Sequence, residues 1–357
     1  MSLQIFPVTG IGEVTPGADL AELIVTAAPW LADGDVLVVT SKIISKAEGR
    51  LVPLPAPGPA RETARIDVIA GETARTVAAR GSTRIVATHH GFVMASAGVD
   101  ASNVDSDHVV LLPKDPDGAA RMLRATLAAR HHRRVAVVVS DTMGRPWRNG
   151  LTDVALGAAG IPPLRDHRGE TDRYGNPLTL TQQAQVDQLA AAADLVKGKI
   201  DGVPVAVVRG LPLAPPDGPA RDGVTLTADP PGVVETLVRN PADDLFSLGT
   251  AEARAAGLRA AATLPDTPPL ALHALPAAAL AEVRRAVALV TGSAAASADW
   301  VVTDGPPCVV RGTSAGAPLR LGSDVHRLRA ALAAAGLATA VEYHEPATAL
   351  VTVGADE

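Results

Sequence analysis

Apolar residues fall into two spacings along this chain. Continuous β-branched runs occur at "DVLVVT" (35–40), "VAVVVS" (135–140) and "VPVAVVRG" (203–210). Apolar side chains at successive positions predict strands buried on both faces. "LQIFPV" (3–8) predicts a further short strand, and "TRIVATHHGFVMASAGVD" predicts two short strands meeting at a turn that carries His89 and His90. Helical spacing predicts helices over "LAELIVTAAPWL", residues 60–80, "GAARMLRATLAAR" (118–130) and "TQQAQVDQLAAAADLVKG" (181–198). The last opens at a Thr and closes at a Gly, as start and stop signals do.

Strands and helices therefore mix through residue 210 without a regular βαβ repeat. That order predicts a mixed α/β, α+β-like fold rather than a Rossmann sheet. "TGIGEVTPG" (9–17) lacks the third glycine spacing of a dinucleotide fingerprint. Beyond it, "LPLAPPDGPARDG" (211–223) reads as a loop, "NPADDLFSLGTAEARAAG" (240–257) as a helix closing the first unit, and "TLPDTPPLALHALP" (263–276) as a linker. The remainder predicts a helix over 277–291, strands near "WVVTD", "CVVRG" and "PLRLG", a helix over 324–335, and strands near "ATAVEYH" and "TALVTVG". A length of 357 residues suits two units. The expected organisation is a domain over 1–250, a linker over 251–276 and a small α/β unit over 277–357.

Composition narrows the classes. Hydrophobic residues make up 47% but aromatics only 2%, so the core is built from small side chains, chiefly Ala and Val. The net charge of −6 argues against a nucleic-acid surface, and "RHHRR" (130–134) reads as a solvated turn between a helix and a strand. A single cysteine, Cys308, rules out an internal disulfide and suits a reducing cytoplasm. The N-terminus does not read as a signal peptide, and no apolar stretch reaches the ~18 residues of a membrane span.

Chemistry gathers where the buried runs end. Strand 35–40 leads into Ser41, Lys42 and Lys46; "AGVDASN" supplies Asp100 and Asn103; strand 135–140 leads into Asp141 and Thr142. Two carboxylates and a hydroxyl match the hard-oxygen preference of Mg²⁺ or Mn²⁺, while lysines supply charge for a triphosphate. Gly144 and Gly150 flank Arg145 and Arg148 and let backbone approach an anion. The combination points to a nucleotide–metal site with arginines free for a second anionic substrate. Taken singly, each feature has a plain structural alternative. "SDTMG" fits an Asp-led turn, "AGVDASN" an Asx-turn pair, the lysines a solvated face and Trp147 a core anchor. No Walker motif, zinc cluster or nucleophile elbow is present.

The segments "VVTSKIISKAEGR", "HHGFVMASAGVDASN", "SDTMGRPWRNGLTDVALGAAG" and "AADLVKGKIDGVPVAVVRG", in that order, closely resemble the coenzyme F420-0:L-glutamate ligase (F420 γ-glutamyl ligase) family over roughly residues 3–250. The resemblance implies a non-Rossmann α/β fold, a homodimer, and GTP-dependent addition of L-glutamate, γ-linked after the first, to F420-0 through an acyl phosphate, with Mg²⁺ or Mn²⁺ and K⁺. By motif, it implies Asp100, Asp141 and Thr142 as metal ligands. It implies Ile11, Gly12, Glu13, Val14, Ser41, Lys46 and Asn103 as GTP contacts. Asp100, Asp141 and Lys46 are the expected catalytic set, and Arg145 and Arg148 are candidates for substrate anions. Residues 195–201 are similar to a second part of the nucleotide pocket, but Lys199 stands where many members carry Gln or Glu. A second-metal contact from that segment is therefore not expected. Many actinobacterial members continue into an FMN-binding reductase domain. The stretch after 250 is too short for one, so FMN is not expected. Two alternatives remain: a bifunctional ligase–flavin reductase, and a nucleotide-binding regulatory homologue without catalysis.

Overall fold

The computed structural model describes residues 2–211, 229–241, 243–244, 246, 248–264, 274–292, 298–314, 318–344 and 347–355. The chain divides into two compact units, Met1–Gly249 and Thr250–Glu357. In the first unit the order is β1 (Gln4–Val8), α1 (Leu20–Ala27), β2 (Val36–Thr40), α2 (Ser41–Ala47), β3 (Leu51–Pro53), α3 (Pro59–Gly71), β4 (Thr73–Arg80), β5 (Thr83–Thr88), β6 (Val93–Ala95), β7 (His108–Val110), α4 (Pro116–His131), β8 (Ala136–Arg145), β9 (Arg148–Ala159), β10 (Arg165–Asp166), β11 (Gln182–Gln183), α5 (Gln185–Lys197), β12 (Val205–Arg209) and α6 (Val233–Leu237).

The central sheet runs β1-β12-β2-β8-β9. Only β2 and β8 are parallel neighbours; the other pairings are antiparallel. The three continuous apolar runs occupy its middle. Leu37, Val39, Val137, Val139, Val205 and Val207 face one core with α1 and α4, while Val36, Val38, Ala136, Val138, Ala206 and Val208 face a second core with α5. Burial on both faces is why these strands show no alternation of polar residues. Helix α4 packs so closely on β9 that a side chain at Gly157 would stand 2.3 Å from the Pro116 carbonyl. Glycine is what allows that approach.

Several expectations are revised by these elements. The helical spacing over 60–80 holds only through Gly71. Residues Thr73–Arg80 form β4 and pair with β5, because "TARTVAAR" alternates exposure and tertiary pairing overrides its weak local preference. "SKIISKA", given no element above, forms helix α2. Helix α5 begins at Gln185 rather than at Thr181. "DTMGRPWRNG" is a hairpin, with β8 and β9 both reaching past the expected strand end.

The second unit contains α7 (Thr250–Ala262), α8 (Ala277–Thr291), β13 (Asp299–Thr303), β14 (Cys308–Thr313), α9 (Pro318–Ala334), β15 (Leu337–His344) and β16 (Thr348–Ala355). Its antiparallel sheet runs β13-β14-β16-β15. The helix expected to close the first unit is α7. It lies in the span read as a linker and packs against α9. "PLRLG" is not a strand but the first turn of α9, whose Leu321, Val325, Leu328 and Leu332 make a helical apolar stripe. The expected loop over 211–223, apart from Leu211, and linker residues 265–273 lie outside the described residues. Among the described residues, no helix is long and apolar enough to cross a membrane.

Candidate active site

Strand β2 ends at Thr40, beside Ser140 of its parallel neighbour β8, which runs on to Arg145. The residues just past Thr40 on one chain segment and Ser140 on the other form the floor of a cleft of about 610 Å³. After β2 the chain turns at once into α2, where Lys42 and Lys46 are one helical turn apart and share a face. Both line the cleft, and the loop Ile11–Val14 forms a wall beside them. Lys46 is nearly buried, and its Nζ donates to Glu13 Oε1 of that loop at 2.5 Å.

Along β8, the pairing with β9 is interrupted between Val139 and Ser140, where Leu156 of β9 is the extra residue. Bulges of this kind re-aim side chains. Beyond it Thr142 stands directly opposite Asp153, and its hydroxyl donates to Asp153 Oδ1 at 2.9 Å. Asp153 Oδ2 accepts from Ser140 Oγ at 2.9 Å and from Lys197 Nζ at 2.7 Å. Both side chains of this ion pair are 4% exposed. Burial alone would push the Asp153 carboxyl up, but the Lys197 charge and hydrogen bond, with those of Thr142 and Ser140, hold it below the usual range.

Asp141 is different. It keeps some surface towards the cleft, yet its carboxyl is densely surrounded by protein. Desolvation pushes its pKa up to about 6, and the Asp153 charge adds to the rise. The Thr142 amide, the charge of Lys42 and a hydrogen bond from Ser41 only partly oppose this. Asp141 thus has a carboxylate with less positive charge around it than it can use. Asp100 Oδ2 instead meets Lys42 Nζ at 2.7 Å, and Ser102 donates to the same carboxylate from its amide and hydroxyl. Burial of Asp100 is outweighed by these partners, which hold its pKa low. Lys42 is therefore the link between the two aspartates.

Of the expected residues, Ile11, Gly12, Glu13 and Val14 form one wall of the cleft; Lys46, Asn103, Asp141 and Thr142 line it as well. Asn103 has a left-handed φ of 56°, which Asn tolerates. Ser41 sits behind the cleft, buried against Asp141. Asp100 is not on the lining and reaches it through Lys42. Arg145 and Arg148 do not come to the cleft: they face each other across the tip of the β8–β9 hairpin, exposed to solvent. Lys197, Gly198 and Lys199, within the segment 195–201, do line it.

Asp153, Lys197 and Asp194 carry structure here that the sequence motifs alone do not single out. The usable signal is a carboxylate inside the apolar run "LTDVALGAAG", which can be buried there only with a partner. The residues present fit a divalent cation, since Asp141, Thr142 and Asp100 offer hard oxygen donors and the counter-charge at Asp141 only partly offsets its burial.

A family model described as F420-0:Gamma-glutamyl ligase matches residues 10–210. The coenzyme F420:L-glutamate ligase of Methanopyrus kandleri is 39% identical over 257 residues, covering 69% of this chain and 98% of that protein. Proteins of the same name are 40% identical over 228 residues in Methanothermobacter thermautotrophicus (59% of this chain, 90% of that protein) and 43% over 233 residues in Halobacterium salinarum (60% and 90%). With the match taking in every central strand except β1 and every residue that lines the cleft, this chain belongs to the F420-0:gamma-glutamyl ligase family.

Proposed function

We propose that the first unit is a GTP-dependent ligase that joins L-glutamate to F420-0 through an amide bond and then adds further glutamate in γ-linkage. One observation carries the reading. Asp141 and Thr142 of β8 sit just beyond the end of β2, in a cleft that also holds Lys42, Lys46, Asn103 and the loop Ile11–Val14, so anion-binding and cation-binding groups share one floor.

The chemistry has two steps. A carboxylate oxygen of the acceptor attacks the γ-phosphorus of GTP; a new P–O bond forms and the bond to the β,γ-bridging oxygen breaks, releasing GDP. The amine of glutamate, having lost a proton, then attacks the acyl carbon; the C–N bond forms, inorganic phosphate leaves with the C–O electron pair, and the nitrogen gives a second proton to that phosphate. Both steps bring anions together, so positive charge must be fixed in place beforehand. Lys46 is pre-set by Glu13 and exchanges that carboxylate for a phosphate oxygen when nucleotide enters. The loop Ile11–Val14 and Asn103 hold the nucleotide against α2. Asp141 and Thr142, with Asp100 behind Lys42, would hold Mg²⁺ or Mn²⁺, which when bound offsets phosphate charge. Ser41 orients Asp141 from behind.

The test is amide formation from GTP, Mn²⁺, glutamate and F420-0, read by mass spectrometry of the products. Asp141→Asn keeps the shape and removes the charge, and turnover falls by at least about 100-fold while the melting temperature holds. Near-normal ligation by that variant removes Asp141 from the mechanism.

A further inference from the structure

Helix α5 ends at Gly198, whose φ of +63° turns the chain so that its two neighbouring lysines part company. Lys197 points inward to the buried Asp153. Lys199 points into the cleft, where its ammonium donates to the Thr142 hydroxyl. It also stands 3.6 Å from Asp194 Oδ1 and 3.8 Å from Asp153 Oδ1.

The proton directions make this arrangement specific. The Thr142 hydroxyl gives its proton to Asp153 Oδ1, so its lone pairs are turned to other donors or to a cation. Lys199 takes one of them, which leaves the other for an ion at Asp141. A hydroxyl and two carboxylates around one point is the donor set that a hard divalent ion selects. Here a lysine ammonium, with one charge and three protons, already sits in it. The charges also balance without a metal: Lys197 answers Asp153, and Lys199 answers Asp194. Asp141, one residue before Thr142, is hydrogen-bonded by the Thr142 amide and by Ser41 rather than by a lysine, and it remains the carboxylate short of counter-charge.

We infer that Lys199 is a tethered cation filling an oxygen-lined subsite made by Thr142, Asp153 and Asp194, so that the cleft takes one divalent ion, at Asp141, and not two. This rests on the proposed role of Asp141 as a metal ligand. Lys199 is thereby a specificity-determining residue. It fixes the ion count of the site and places a permanent positive charge beside the phosphates, one that no chelator removes.

The experiment counts bound Mn²⁺ per chain by the loss of the free-ion electron paramagnetic resonance signal, with GDP present. The wild type binds one ion, Lys199→Ala binds two because the vacated oxygens accept a second, and Lys199→Arg returns to one. The side chain is 58% exposed, so these variants keep the fold, which their melting curves verify. Two ions in the wild type, or one in Lys199→Ala, overturns the assignment to Lys199 and leaves Asp141 as a ligand. No ion in the wild type, or an undiminished count in Asp141→Asn, overturns the metal reading on which the assignment stands.

Discussion

The two ends of the β8–β9 hairpin come from one continuous motif, "SDTMGRPWRNGLTD", and they live in opposite surroundings. At its base Ser140, Thr142 and Asp153 form a network with Lys197 between the sheet and α5, on the floor of the cleft. At its tip Arg145, Trp147 and Arg148 stand in solvent, and Trp147 is 83% exposed. A long motif therefore identifies the family without saying which of its residues do the same kind of work. Charge at the base is desolvated and must be matched atom for atom. Charge at the tip is screened by water and contributes little to the fold.

Removing half of the buried pair is the harshest way to test that contrast. Lys197→Met leaves the Asp153 carboxylate buried with hydroxyl donors and only the more distant, exposed Lys199, and it destabilises the first unit by about 3–5 kcal/mol. Hydrogen exchange localises the loss to β8 and β9. Replacing both partners with apolar residues of similar volume recovers most of that stability, since the penalty lies in the orphaned charge. A single-variant loss under about 1 kcal/mol, the range of exposed pairs, erases the distinction between base and tip.

The arginine pair tests the other side. Arg145→Ala with Arg148→Ala leaves folding intact and changes kcat/KM for ligation by less than about tenfold, because neither side chain lines the cleft. A larger rise in KM for the anionic acceptor, at unchanged kcat, makes the hairpin tip part of the substrate site and breaks the comparison. Charge and placement in the sequence point to these arginines as anion binders. The hairpin's length carries them away from the floor that Asp141 occupies.

The legibility of the chain follows the same division. The strands buried on both faces, β2, β8 and β12, are readable because a double-sided core leaves no room for polar residues. The site is readable for the same reason: polarity begins abruptly where the double-sided core stops. Strand β4 is not readable, because Ala, Arg and Thr fit helix and strand equally and only the pairing with β5 decides. Asp153 is hidden by its own burial, since a charge inside an apolar run reads as a strand edge until Lys197 is found, 44 residues further along the chain. Helix α9 misleads in its first turn, where "PLRLG" has too few residues to show a period.

The smallest expected effect is at the hairpin tip itself. Trp147 takes a left-handed φ of 56° in the two-residue turn between Arg145 and Arg148, a conformation that costs a bulky residue about 1–2 kcal/mol. Its ring meets Phe246 edge-on with centroids 4.9 Å apart, a contact of about 0.5–1.5 kcal/mol. The two terms nearly cancel. Trp147→Ala loses the contact and keeps the strain, so it is the more damaging variant. Trp147→Gly loses both and unfolds within about 1 kcal/mol of the wild type in denaturant titration. If glycine is much worse than alanine, the backbone at this turn is not strained by Trp147, and the ring must be held by more than Phe246.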